Sequence, residues 1–297
     1  MGSSLRITVL GSATPYPRPG NACSGYLLES GGGDEHGGRP VRVWVDAGSG
    51  TLGELQRYVG LGGLDAVWIS HLHADHCADL LTAFYGLRHA DVERPAPLPL
   101  FGPPGIADRL AGFLTNGPAR SPVESAFAVE ELYDGHAVRI GGIRLLSRAV
   151  EHGGLPAFGL RAEGTDGAGG VDGGGGADGA GGVDGAGGAV LAYSGDSGPC
   201  AALTELARES DLFLCEADGE GPGHLSPEQA GRAAAEAGAA RLLVTHVGPA
   251  ITPGAATARA AAVFPGPVSY AEPGLGLDVT RRSRTPGRTT PSPASSR

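Results

Sequence analysis

The stretch His71-Leu72-His73-Ala74-Asp75-His76 packs three of the chain's nine histidines, with an aspartate, into six positions. It follows directly on the apolar run Leu64-Asp65-Ala66-Val67-Trp68-Ile69-Ser70. In an extended segment leaving a strand, side chains at i and i+2 point the same way, so His71 and His73 can converge on one ion. Asp75 and His76 stand where the chain is expected to turn into a helix beginning near Cys77, and can serve a second ion beside the first. Imidazole and carboxylate without thiolate suit zinc, with manganese or iron as alternatives. One histidine at a strand end is more often a hydrogen-bonded structural residue than a ligand, so the crowding itself carries the reading.

Two ions need more ligands than one loop supplies, and suitable residues recur at other strand ends. Glu151-His152 follows the run from Ile143 to Val150, Ser194-Gly195-Asp196-Ser197 follows Ala189 to Tyr193, and Thr245-His246 follows Leu242 to Val244. Each sets a His or Asp just beyond an apolar strand, at the sheet edge where α/β enzymes gather their active sites. His36, His89 and His136 match no motif and are read as ordinary structural or surface residues.

Strand-like runs (5 to 10, 41 to 45, 66 to 69, 143 to 149, 189 to 193, 211 to 215, 241 to 245) alternate with helix-like segments (51 to 59, 77 to 90, 104 to 115, 199 to 209, 226 to 238, 255 to 264). Such alternation indicates a layered α/β architecture, and 41% apolar residues over 297 positions are ample for its core. Ser226-Pro227-Glu228 supplies an N-cap serine before a first-turn proline and glutamate, and Gly238 can end that helix.

Two segments stand apart. Residues 165 to 188 repeat a six-residue unit four times, with Asp166, Asp172, Asp178 and Asp184 in register. The spacing does not match the nine-residue calcium-binding roll, and the tract has almost nothing to bury, so 164 to 189 is expected to be a flexible insert between two strands. The tail from 280 to 297 is basic and expected to be disordered.

All 22 basic residues are arginine, and five of them lie after Asp278, where no acid occurs; the remaining 17 face 32 acids, leaving −15 on the body. So acidic a body is a poor general partner for nucleic acid. The four cysteines show no CxxC spacing and read as small buried residues. No run approaches a membrane span and the N-terminus lacks a secretory core, so no membrane partner and a cytoplasmic location are expected.

The ordered set HxHxDH, His152, the Asp196 of SGDS and the His246 of THV resembles the metallo-β-lactamase superfamily, and Val45-Asp46-Ala47-Gly48 matches its upstream Asp motif. The resemblance runs over about residues 5 to 279 and implies an α/β fold of the αββα sandwich type, as one hydrolase domain spanning 1 to 279. Position by position it assigns His71, His73 and His152 to one metal, Asp75, His76 and His246 to another, and Asp196 as the bridge. Asp46 is expected to hydrogen-bond to the metal loop rather than bind an ion. Two adjoining cations lower the pKa of a bridging water and neutralise charge on an attacked ester, so hydrolysis is the expected reaction class. The family also includes oxygen-reducing and persulfide-oxidising members, which the ligands alone do not exclude.

A further arrangement, Cys215-Glu216-Ala217 with His224-Leu225-Ser226 and Gln229-Ala230-Gly231, is similar to the phosphodiesterase side of the superfamily, where ribonuclease Z belongs. That similarity gives His224 the departing oxygen to stabilise or protonate and Glu216 the task of orienting it, with Asp75 the third catalytic residue. The bland alternative makes His224 a neighbour of the helix start at Ser226. Ribonuclease Z carries a tRNA-binding arm after the third-histidine motif. Here the glycine-aspartate repeat stands there, with no basic residue from Ala162 to Ala207, which ranks tRNA 3′-endonuclease activity second. The whole chain looks more like actinobacterial metallo-β-lactamase-fold proteins associated with cyclic-nucleotide phosphodiesterase activity. The expectation is a dinuclear phosphodiesterase opening 3′,5′-cyclic nucleotides such as cAMP by a metal-bridging hydroxide, with a small phosphodiester as partner and homodimers by family precedent. A thioester or lactone hydrolase and an inactive nucleotide-binding protein are the other classes carried.

Overall fold

The computed structural model describes residues 4–30, 39–89, 92, 94–165, 187–219 and 221–282. His36, most of the glycine-aspartate repeat and the tail beyond Arg282 lie outside the described residues.

Several strands are apolar at consecutive rather than alternate positions, the mark of a sheet covered on both faces. Val43 and Val45 pack into one core cluster and Trp44 between them into another; Ala66-Val67-Trp68 and Leu212-Phe213-Leu214 divide in the same way. The N-terminal half supplies β1 (Leu5–Ala13), β2 (Ala22–Cys23), β3 (Gly25–Ser30), β4 (Arg42–Ala47), β5 (Ala66–Trp68), β6 (Leu98–Gly102) and β7 (Phe127–Glu131). The C-terminal half supplies β8 (Ala137–Ile140), β9 (Ile143–Ala149), β10 (Phe158–Gly164), β11 (Val190–Tyr193), β12 (Leu212–Glu216), β13 (Leu242–Thr245) and β14 (Val268–Tyr270), and β15 (Gly276–Val279) returns to the first sheet. The first sheet runs β15-β1-β3-β4-β5-β6-β7 with β2 beside β1, and the second runs β14-β13-β12-β11-β10-β9-β8.

Each half begins with antiparallel strands and ends with parallel ones, β4 to β7 and β11 to β14. A parallel step needs a crossover, and helices fill it. α1 (Thr51–Leu55), α2 (Ala74–Cys77), α3 (Asp79–His89) and α4 (Ile106–Leu114) serve the first sheet; α5 (Ala201–Leu206), α6 (Pro227–Ala237) and α7 (Pro253–Ala261) serve the second. Ile7, Tyr26, Val45 and Trp68 meet Leu160, Leu191, Leu214 and Leu243 between the sheets. Trp44 and Val67 face Leu80, Phe84 and Leu110 outside one sheet, while Phe213 and Val244 face Leu203, Ala234 and Ala260 outside the other. Three apolar interfaces make four layers, the αββα sandwich expected from the motifs.

One local expectation changes and another gains detail. The helix expected near Cys77 starts earlier, with His73 at its N-cap position, so Asp75 and His76 ride on the first turn of α2. α6 begins as expected at Ser226, but the residue that completes its capping box is Gln229, which bonds back to the Ser226 N–H over 2.7 Å, and Gly238 ends it at φ 66°.

Candidate metal centre

The carboxyl ends of the parallel strands point to one edge of the sandwich, where open α/β sheets collect their ligands. Asp46 is the next-to-last residue of β4, the 71 to 76 loop follows β5, Asp196 follows β11, Glu216 closes β12 and His246 follows β13; His152 comes from the turn between β9 and β10. Asp46 (φ 54°) and His246 (φ 48°) sit in the left-handed region, unusual for residues other than glycine. Gly195 (φ 59°) brings the SGDS loop so near the neighbouring strand that a Cβ there would lie 2.6 Å from the Phe158 carbonyl oxygen.

The seven residues singled out as metal ligands meet. His71, His73, His152 and Asp196 form one group, and Asp75, His76 and His246 another, with the donor atoms of each within 4.8 Å of one another. In the first, His73 Nδ1 lies 3.0 Å from His71 Nε2 and 3.2 Å from His152 Nε2. In the second, His246 Nε2 lies 3.3 Å and His76 Nε2 3.9 Å from Asp75 Oδ2. Asp196 touches both, at 3.6 Å from His71, 3.3 Å from His76 and 3.4 Å from His246. All but the exposed His73 are buried.

A tetrahedral ion with bonds of about 2.0–2.1 Å wants its donors about 3.4 Å apart, which is the spacing found. Two imidazole Nε2 atoms crowd one Nδ1 at His73, an arrangement that hydrogen bonding alone does not satisfy and a shared cation does. Buried His76 Nε2 and Asp196 Oδ1 lie 3.3 Å apart without a hydrogen bond between them or to any other group. The donor set fits two divalent ions.

Buried groups behind the cluster orient it. Asp46 Oδ2 accepts from His76 Nδ1 at 2.7 Å, Ser70 Oγ at 2.8 Å and Tyr193 OH at 2.7 Å, while Oδ1 accepts the Ser70 N–H at 2.7 Å. His152 Nδ1 donates to the Gly223 carbonyl at 2.9 Å, which turns Nε2 toward His73. Burial and the neighbouring His76 hold the His71 pKa well below the usual histidine value. For His76 burial opposes charge, yet Asp196 and Asp46 prevail and raise it well above. Burial also opposes charge on Asp75 and Asp196, but histidines on each draw both below the ordinary carboxylate range.

Glu216 and His224 form a pair at the same edge. Glu216 Oε1 accepts from His224 Nδ1 at 3.0 Å and the Ser197 N–H at 3.1 Å, and Oε2 accepts the Asp218 N–H at 2.9 Å. The hydrogen bond that His224 donates to Glu216 raises His224 to about 9 against partial burial, while burial pushes Glu216 itself upward. With three N–H donors on the Glu216 carboxylate, its ionised form is favoured and the proton sits on the imidazole. The His224 ring stacks on His246 with centroids 5.8 Å apart. His224 therefore faces the cluster as well as preceding the α6 cap.

Sequence reasoning missed Tyr193, Tyr26 and Ser70, since a tyrosine in an apolar strand carries no signal separating it from core filling. His136 is buried and bonds Glu130 at 2.8 Å, and His89 packs beside Tyr85; neither reaches the cluster.

A family model described as beta-lactamase superfamily domain matches residues 41–247. The chain is 37% identical over 278 residues to an uncharacterised protein of Mycobacterium tuberculosis, covering 89% of each. It is 30% identical over 287 residues to ribonuclease Z of Mycolicibacterium paratuberculosis, covering 84% of this chain and 88% of that one. Among solved structures, the metallo-β-lactamase fold protein YhfI of Bacillus subtilis superposes with TM-score 0.72 at 24% identity, over 94% of this chain and all (100%) of that one. The short form of human tRNase Z gives 0.61 at 19% identity, over 92% and 98%. The described helices include none long and apolar enough to cross a membrane.

Proposed function

The chain belongs to the beta-lactamase superfamily, and from that premise we propose that it is a dinuclear phosphodiesterase opening 3′,5′-cyclic nucleotides such as cAMP. At the coarser level it is a metal-dependent hydrolase related to ribonuclease Z. In this reading His71, His73 and His152 hold one ion, Asp75, His76 and His246 the other, and Asp196 joins them. Zinc suits this donor set best, with manganese or iron the alternatives.

One observation carries the choice of a phosphodiester: a cationic imidazole, His224, held by Glu216 and stacked on His246. A thioester expels a thiolate that leaves without a proton, whereas a phosphodiester expels an alkoxide that must gain a proton or a positive neighbour. Two ions held in the cluster would supply a water nucleophilic at neutral pH and positive charge facing the phosphoryl oxygens. The chain's own groups do the rest. As a bond forms from the water oxygen to phosphorus, the ionised Asp75 takes the water's proton, the bond from phosphorus to the 3′-oxygen breaks, and His224 gives that oxygen its proton. The product is a 5′-nucleoside monophosphate. Glu216 is a positioning residue that keeps His224 charged.

A screen of zinc-loaded protein against cAMP, bis(p-nitrophenyl) phosphate, a thioester, a lactam and precursor tRNA tests this. Release of 5′-AMP is expected; hydrolysis of the thioester or lactam with both phosphodiesters untouched overturns it. The relatives named ribonuclease Z favour a second reading, a tRNA 3′-endonuclease. It predicts cleavage of the precursor at low salt, and an intact precursor removes it.

A further inference from the structure

The two sheets share the cluster between them: His71, His73, Asp75 and His76 follow a strand of the first, while His152, Asp196 and His246 come from the second. Each group of donors therefore has members on both sides of the central interface. The apolar contacts that fill that interface are non-directional and fix relative position only loosely. Buried hydrogen bonds do so with direction, and a fully satisfied one specifies a single arrangement.

Two such bonds stand directly behind the donors, one from each sheet. Tyr193, on β11 three positions before Asp196, crosses to the first sheet and donates to Asp46 Oδ2 at 2.7 Å; Asp46 in turn holds His76. Tyr26, on β3 of the first sheet, crosses the other way and bonds Thr245 Oγ1 at 2.6 Å, next to His246. The tyrosine rings meet edge to face with centroids 5.2 Å apart, and Tyr193 also lies against Trp68 at 6.4 Å. Neither ring reaches solvent. Other bonds join the sheets: Trp68 Nε1 to Ser147 Oγ at 3.0 Å and Ser12 Oγ with Tyr270 OH at 2.9 Å involve no neighbour of a donor residue on the second sheet, and the Phe158 N–H donates to the Ser70 carbonyl at 3.0 Å, a backbone bond that side-chain changes leave in place.

We propose that Tyr193 and Tyr26 are positioning residues, a reciprocal pair of hydroxyl ties that holds the two half-sites at the separation two metal ions require. The proposal rests on the reading of the seven residues as ligands. Loss of a ring hydroxyl leaves the packing almost unchanged and removes only the tie.

The experiment measures zinc stoichiometry and affinity by chelator competition, beside the thermal midpoint of the metal-free protein, for wild type, Tyr193→Phe, Tyr26→Phe, the double variant, Ser147→Ala and His76→Ala. The expected result is a 10- to 100-fold loss of affinity for at least one ion in Tyr193→Phe, of the order seen when groups behind metal ligands are removed. A further loss is expected in the double variant, with wild-type affinity in Ser147→Ala. Wild-type affinity for both ions in the double variant overturns the proposal, whatever its thermal midpoint. Equal losses in the double variant and Ser147→Ala also overturn it, since the ties would then serve the fold alone. A wild-type protein that binds no zinc, or a His76→Ala variant that binds as wild type does, instead overturns the ligand reading beneath it.

Discussion

His224 donates through Nδ1 to Glu216 Oε1 over 3.0 Å, and the carboxylate that accepts it has no exposure to solvent. The His224 pKa is raised from 6.5 to about 9 by this bond. A group raised on folding stabilises fully below its unfolded pKa and loses that contribution as pH rises through the folded one. In metal-free protein, an NMR titration of the His224 ring should keep the charge past neutrality and lose it near 9. Glu216→Gln should move the midpoint toward 6.5. A wild-type midpoint already near 6.5 would contradict the pairing.

Asp46 is the acceptor for four donors, the Ser70 N–H and hydroxyl, His76 Nδ1 and Tyr193 OH. Asp46→Ala leaves them buried without a partner, at about 1–3 kcal/mol for each that finds no water. A drop of several degrees in thermal midpoint is expected, with zinc affinity lower by about 10- to 100-fold. Asp46→Asn should fall between, since it keeps one oxygen acceptor.

Ions that bind only the folded state stabilise it by mass action, about 2.7 kcal/mol per site at a hundredfold excess over Kd. Chelation should therefore lower the thermal midpoint, and returning zinc should restore it. A chelated protein that melts as the loaded one does would mean that the cluster holds no ion.

Cys23, Cys77 and Cys215 are buried, whereas Cys200 is half-buried, and all four are free. Burial raises the Cys23 thiol to about 12 and Cys77 to about 11, and raises Cys215 well above the usual value. A disulfide reagent at pH 8 should label Cys200 rapidly and the others only on unfolding, because the thiolate is the reacting species. Two fast thiols would contradict this.

Ser226→Ala removes the hydroxyl that accepts the Gln229 N–H over 3.3 Å and should cost about 1 kcal/mol of stability. Zinc affinity should be unchanged. His224→Ala should cause a large loss of turnover, together with a loss of stability because the buried Glu216 carboxylate is left without its cationic partner; the turnover loss, absent in Ser226→Ala, separates the task of His224 from that of the helix start two residues later.

Much of this was legible in the sequence because the chemistry sits at strand ends. The runs before His71, His152, Asp196 and His246 fold as β5, β9, β11 and β13, so each candidate ligand lies where its apolar run stops. Other strands were not legible. β6 holds Pro99, which argues against a strand by itself, and β10 alternates core residues with Arg161 and Glu163, which pair with each other at 2.7 Å. β2, β14 and β15 are too short to show a period. The tie residues escaped for a different reason: Tyr193 and Tyr26 have core neighbours on all sides, and only the three-dimensional path of one hydroxyl distinguishes them from packing.

The join between β10 and β11 has one more consequence. Leu160 pairs with Tyr193 beside the cluster, while Glu163 pairs with Val190 at the far end of the hairpin, from which the chain departs after Gly164. The hexapeptide units are thus spliced into the protein on the side remote from the chemistry. Repetitive coding sequence gains and loses whole units during replication, and here such slippage acts on a segment joined to the sheet beyond Gly164 and before Val190, the end of the hairpin opposite the donor residues.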